Sequence, residues 1–411
     1  MITKDKIFAF LLGINRKPSD EEGLNELQLL AKTAGAEVVG TAVQKRLKVD
    51  PAYYVGRGKA EEVASAVKTL GANVIICDDE LSPVQIRNLE DITETKIIDR
   101  TMLILDIFAQ RANTSEGKIQ VELAQLQYMM PRLTGKGIEL SQEGGGIGTR
   151  GPGETKLETD RRHIRRRIYR LKKELLEIQK SRQVIMKSRK YPVISLVGYT
   201  NAGKSTLLNV LTGADAATGD RLFETLDTTT RGLDLPDGRR VLLSDTVGFI
   251  RKLPHHLVEA FKATLEEVRE ADMLIHVADG SSSILEEEII TVNSVLSDIG
   301  IGEKPVILAI NKIDKRNNEN RFIRSYNQDN TIEISALKGI NLDKLLNAIS
   351  KYLPSNRHHA ELFIPYDDAR SLDKIHQNSD IDEIKYEYDG VRIRGSVDIA
   401  ILNDLEKYVS R

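Results

Sequence analysis

Short apolar runs alternate with segments of helical spacing along the first hundred residues. Ile7-Phe8-Ala9-Phe10-Leu11-Leu12-Gly13-Ile14 has the length of a strand and falls far short of the roughly 20 apolar residues a membrane span needs. Ser19 and Glu22 then stand at capping-box spacing ahead of Leu24, Leu27 and Leu30. Residues 36–43 read as a strand, 54–59 as a Gly-rich turn, 60–70 as a helix, and Asn73-Val74-Ile75-Ile76-Cys77-Asp78 as a buried strand. Ser82-Pro83 opens another helix, and Lys96-Ile97-Ile98-Asp99 is a short strand. This alternation predicts a small α/β domain with a largely parallel sheet over 1–110.

The texture changes over 111–190. Residues 119–130 have helical spacing, and the Gly-rich stretch 144–153 excludes regular structure. A long helix is predicted from about Glu154 to Lys187, with Ile164, Ile168, Leu171, Leu175, Ile178 and Ile185 forming one buried stripe. Beyond 191 the pattern becomes strand-rich. Pro192 to Val197 is a β-branched strand, Thr206 to Leu211 a helix, and 233–243 a hairpin around Asp237-Gly238. Further strands are predicted at 241–244, 306–310 and 331–334, which makes 191–353 a doubly wound α/β domain. Pro354 to His359 reads as a linker. Over 360–411, a hairpin around Asp389-Gly390 and a helix at about 399–409 make a small α+β unit.

With 411 residues, several cores are needed. The overall charge of −2 conceals segregation, because 156–190 carries fourteen cations against four acids. Arg161, Arg162, Arg165, Arg166, Arg167, Arg170, Lys172 and Lys173 lie in a run without an acid. A merely solvated helix would mix signs, so a nucleic-acid phosphate surface is expected, with the Gly-rich loop as its probe. No ring is counted among these cations to stack bases, which favours structured RNA read by backbone and shape. Cys77 is the sole cysteine, so a disulfide framework and a Cys-rich zinc site are excluded, consistent with a reducing cytosol. A soluble, cytoplasmic protein without a membrane span is expected.

The chemistry gathers after the apolar strands, where doubly wound sheets bind ligands. Gly198-Tyr199-Thr200-Asn201-Ala202-Gly203-Lys204-Ser205 joins strand to helix as a phosphate-binding loop does. Its glycines let backbone N–H groups wrap a polyphosphate, Lys204 reaches the β- and γ-phosphates, and the Ser205 hydroxyl is placed to ligate Mg²⁺. In Asp245-Thr246-Val247-Gly248, Asp245 is placed to hold Mg²⁺ through water and the Gly248 amide to sense the γ-phosphate. Asn311-Lys312-Ile313-Asp314 follows the next strand. A carboxylate there accepts from guanine N1–H and the exocyclic amine, which adenine cannot offer. Ser335-Ala336-Leu337 closes over guanine O6. These motifs predict a guanine-nucleotide site. Gly56-x-Gly58, flanked by Arg57 and Lys59, leaves open a second phosphate contact in the N-terminal domain, on a nucleotide or on RNA.

The motif set resembles the HflX family of ribosome-associated GTPases. The resemblance rests on 198–205, on Phe223-Glu224-Thr225-Leu226-Asp227, on the run from Asp245 to Phe261, and upstream on 125–133 and 151–158. It covers about 1–350, and the C-terminal unit fits loosely. It implies a GTP hydrolase that binds the large ribosomal subunit and its rRNA near the peptidyl-transferase centre, and that splits idle or stalled ribosomes. It also implies Thr225 as the second protein ligand of Mg²⁺; the residues alone leave Thr228 and Thr229 equally open. Phe249 stands where small GTPases carry a water-orienting Gln, so hydrolysis is expected to be slow alone and stimulated by the ribosome. Asn201 stands where an Asn in other GTPase families coordinates a monovalent cation, so K⁺ is a candidate cofactor beside GTP/GDP and Mg²⁺. A monomer is expected. The competing function is a GTP-gated RNA-binding module in large-subunit assembly, with hydrolysis incidental.

Overall fold

The computed structural model describes residues 6–16, 20–134, 156–187, 191–214, 222–223, 228–252, 262–301, 304–316, 330–353, 357–398, 401–402 and 405–409. The chain begins with β1 (Phe8–Asn15), α1 (Asp20–Thr33), β2 (Glu37–Lys45), α2 (Arg57–Leu70), β3 (Val74–Cys77), α3 (Pro83–Thr93), β4 (Lys96–Asp99) and α4 (Arg100–Arg111). The strands form one sheet in the order β2-β1-β3-β4, all parallel. Because successive side chains of a strand face opposite ways, β1 feeds two cores. Ala9 and Leu11 pack with Leu27, Ile104 and Phe108, while Phe10, Leu12 and Ile14 pack with Tyr54, Val63 and Leu89.

Two local readings shift. The helix expected from residue 60 starts at Arg57, with Gly56 as its extended N-cap, so the Gly-rich turn is shorter than its glycines suggest. Ser82 and Gln85 form a capping box, whereas the one expected from Ser19 and Glu22 lies outside the described residues.

Next come α5 (Ser115–Met129) and α6 (Lys156–Lys187). Leu171 and Leu175 are buried against Leu123, with Ile119, Leu126 and Ile168 around them, so Ile168, Leu171 and Leu175 of the predicted stripe meet α5, while the Ile185 side chain lies outside the described residues. Arg167 fastens the pair with a two-pronged bond to Glu122, at 2.6 and 2.7 Å. The Gly-rich stretch 144–153 lies outside the described residues, but its stem is pinned. The Arg132 guanidinium lies 3.4 Å from the Tyr128 ring centroid and donates to the Leu81 carbonyl at 2.8 Å.

The third unit comprises β5 (Val193–Gly198), α7 (Lys204–Thr212), β6 (Thr229–Asp234), β7 (Arg240–Asp245), α8 (Lys262–Arg269), β8 (Met273–Asp279), α9 (Leu285–Asp298), β9 (Val306–Asn311), β10 (Thr331–Glu333) and α10 (Leu342–Tyr352). Its sheet runs β10-β9-β8-β5-β7-β6, parallel except for the β6–β7 hairpin. β8 and α9 are absent from the sequence reading. β5 lies between β7 and β8, so the loop after it opens at the point where the strand order reverses.

The last unit is β11 (Arg357–Pro365), α11 (Ala369–Asn378), β12 (Ser379–Tyr386) and β13 (Gly390–Asp398), an antiparallel sheet ordered β11-β13-β12. β11 takes in Arg357, His358 and His359, which sequence assigned to the linker. At the expected final helix, Ile401 and Leu402 are helical and Glu406–Tyr408 form a 3₁₀ turn.

Candidate active site

β5 delivers the loop to the carboxyl edge of the sheet, and its two glycines have steric reasons. A Cβ on Gly198 would overlap the Val277 carbonyl, and one on Gly203, at φ +93°, would overlap the Asn311 side-chain amide. Lys204 opens α7 and is buried, its ammonium donating to the carbonyls of Gly198 (3.1 Å) and Tyr199 (2.9 Å). Burial pulls its pKa down to about 8. The ammonium is therefore short of negative charge, which a polyphosphate supplies. The Ser205 hydroxyl donates to Asp245 Oδ2 at 2.6 Å. A hydroxyl and a carboxylate this close are the hard oxygen donors Mg²⁺ takes, so these residues fit the ion. Thr225, the other expected ligand, lies outside the described residues, as do Glu224, Leu226 and Asp227.

The segment after β7 folds back over the loop. The Phe249 N–H donates to the Gly198 carbonyl (3.1 Å), and the Thr200 N–H donates to the Phe249 carbonyl (2.7 Å). Gly248 is pressed so close that an added Cβ would lie 2.8 Å from Thr200 Cγ2 and 3.0 Å from Lys204 Nζ. Thr246 is tied to the Leu196 carbonyl at 2.6 Å, and Val247 is buried. Phe249 itself is buried in the core of this domain, so its ring is withdrawn from the phosphate corner as well as chemically inert.

The base end is braced as tightly. Asn311 donates through Nδ2 to the Ala202 carbonyl and accepts at Oδ1 from the Ala336 N–H, both at 2.9 Å, which ties the phosphate loop to the 335–337 loop. Lys312, in left-handed backbone at φ +62°, reaches the Asn201 carbonyl (2.6 Å) and Asp279 (2.7 Å). Ile313 begins a 3₁₀ turn that presents Asp314. The Ser335 hydroxyl donates to Asp314 Oδ1 at 2.6 Å and holds that carboxyl below its usual pKa. The acceptor is thus ionised at neutral pH and aimed. Leu337 stands exposed at the rim.

Sequence reasoning missed how the N-terminal domain grips this site. The Tyr199 hydroxyl donates to Glu26 (2.9 Å) and accepts from the Arg251 N–H (2.7 Å). Arg100 is buried between Glu26 (3.0 Å) and Asp78 (2.7 Å), and Lys252 reaches Asp78 and Asp79. Phe223 is buried with its ring edge-on to Phe108, centroids 4.6 Å apart. The available signal was positional, since Asp78 and Asp79 end β3 at the carboxyl edge of a parallel sheet. In the Gly56 turn both flanking cations stand in ion pairs. Arg57 and Lys59 pair with Glu61 (3.2 Å) and Glu62 (2.7 Å).

On α6, Arg165, Arg166, Arg170, Lys172 and Lys173 are exposed, while Arg167 is spent on Glu122. One expectation is corrected. Tyr169 stands among these cations, 74% exposed, opposite the stripe that meets α5, so the face does carry a ring. No helix among the described residues is long and apolar enough to cross a membrane.

Comparison with known proteins gives three consecutive matches. Residues 21–109 match the family described as GTP-binding GTPase N-terminal, 111–189 the GTP-binding GTPase Middle Region, and 193–312 the 50S ribosome-binding GTPase. The GTPase HflX of Caldanaerobacter subterraneus subsp. tengcongensis is 50% identical over 99% of this chain and 95% of its own length. That of Escherichia coli K12 is 46% identical over 90% and 88%. Among solved structures, a GTP-binding protein from Sulfolobus solfataricus in complex with GDP is 28% identical, covering 84% of this chain and 98% of that one, with a TM-score of 0.45.

Proposed function

Because the chain belongs to the HflX family of GTPases and hydrolyses GTP, we propose that it binds the large ribosomal subunit through rRNA and uses the nucleotide cycle to split idle or stalled ribosomes. The observation that carries this reading is the exposed basic face of α6, which points away from α5 beside the stem of the Gly-rich loop. Counterion release from rRNA phosphates would supply the affinity, and Tyr169 a ring for an unstacked base.

In this reading the 198–205 loop cradles GTP, Asp314 selects guanine, and Ser205 and Thr225 hold Mg²⁺ directly with Asp245 acting through water; the ion neutralises charge on the β- and γ-phosphates when bound. Phe249 offers no water-orienting group, so docking on the ribosome supplies the missing positioning. Asn201 is the candidate K⁺ ligand. Turnover is expected to rise with added large subunits and to be faster in K⁺ than in Na⁺ salts; equal rates in all four mixtures would reject both points.

Docking is tested by co-sedimentation with ribosomes in the presence of a GTP analogue, GDP or no nucleotide. Arg165→Glu/Arg166→Glu should abolish pelleting at physiological salt while leaving nucleotide affinity intact. Unchanged pelleting would reject the α6 face. The second reading, a large-subunit assembly module, shares the RNA face. Gradient sedimentation separates the two, since a splitting factor bound to the analogue converts intact ribosomes into subunits and an assembly module does not.

A further inference from the structure

Thr200 is 7% exposed, and its Oγ1 has no hydrogen-bond partner among the described residues. Its amide is used, donating to the Phe249 carbonyl at 2.7 Å. Its methyl branch meets Gly248, where an added Cβ would lie 2.8 Å from Thr200 Cγ2 and 3.0 Å from Lys204 Nζ. Thr200, Gly248 and the Lys204 ammonium therefore converge on one corner. The latter two are the groups that grip a γ-phosphate, so that corner is where the phosphate enters. A buried hydroxyl without a partner is costly, and a valine would fill the same volume without that cost. The orphaned oxygen is accounted for when a ligand arrives to use it. Phe249 cannot serve the reacting phosphate, because its ring is buried in the domain core.

We propose that Thr200 is a catalytic residue whose hydroxyl donates a hydrogen bond to a non-bridging γ-phosphoryl oxygen as charge shifts in the transition state. The water oxygen bonds to Pγ, and the bond from Pγ to the β–γ bridging oxygen breaks with its electron pair leaving on GDP. The proton lost by the water ends on the released phosphate, and Thr200 keeps its own. For the contact to form, Gly248 must withdraw from the corner it covers in this conformation. Nothing in this inference depends on ribosome docking.

The experiment uses the full chain without ribosomes and compares Thr200→Val with Thr200→Ser. Valine should slow single-turnover GTP hydrolysis about ten- to a hundredfold, as loss of one preorganised donor does. Its GDP affinity, read with a fluorescent GDP, should stay within about twofold, and the thermal midpoint of the nucleotide-free protein should hold or rise. Serine should restore most of the rate. The proposal is overturned if valine turns over at the parental rate, or if serine is as slow as valine. It is also overturned if valine lowers midpoint, GDP affinity and rate together or fails to fold, which would assign the side chain to packing.

Discussion

Replacing Arg100 by leucine is expected to destabilise the N-terminal domain by about 3–5 kcal/mol, the usual loss when one partner of a buried ion pair is removed. Arg100 is 1% exposed, and its guanidinium spans Glu26 and Asp78. Without it, two carboxylates face each other in a region already crowded with negative charge. Glu288, beside Glu26, is itself pushed up to about 7, chiefly by burial. Lysine at 100 would restore the charge but not the two-pronged reach, so Arg100→Lys should recover only part of the loss. Urea denaturation of both variants beside the parent at pH 8 checks this. A loss below about 1 kcal/mol at pH 8 would mean that the cluster contributes little.

The second large effect is expected at the base. Asp314→Asn should weaken GTP binding about a hundred- to ten-thousandfold, because two charge-assisted hydrogen bonds at about 1.5–3 kcal/mol each are lost and an amide N–H is turned toward guanine donors. Xanthine carries a carbonyl where guanine carries its amine, so the variant should gain affinity for XTP. The aim of the carboxylate is fixed by the Ser335 hydroxyl, which an asparagine oxygen can still accept, so the loop should survive. Competition titrations of GTP and XTP decide the matter. A GTP affinity within tenfold of the parent would place the selecting contact elsewhere.

The nucleotide site was legible because its logic is local. A strand that ends in Gly198 to Ser205, or in Asn311 to Asp314, carries its motif within a few residues, and the sheet needs only to bring those ends together. The stripe of α6 was legible for the same reason, through a single period. What escaped depends on which charges find each other across the fold. Glu26, Asp78, Arg100 and Lys252 look like ordinary polar positions until the two domains meet around Tyr199. Asn311 read as a base contact, yet it also braces two loops through Ala202 and Ala336. Tyr199 read as one residue of the phosphate-binding loop, although its hydroxyl is shared by both domains. Tyr169 was visible in the sequence and was passed over among its arginines. β8, whose strand is buried on both faces, lacked an alternating pattern to announce it.

The clamp between Arg167 and Glu122 has a mechanical consequence. α6 has 32 residues and is therefore about 48 Å long, held near its middle by the Glu122 fork and the Leu171–Leu175 seat. A rod pinned at its centre turns rotation into travel. A tilt of about 10° at the pin would carry each end through about 4 Å, since each arm is about 24 Å long. One end runs on toward β5 and the phosphate loop, and the other toward the Gly-rich stretch. A tilt of about 10° at the nucleotide would thus arrive at the far tip as a stroke longer than a hydrogen bond.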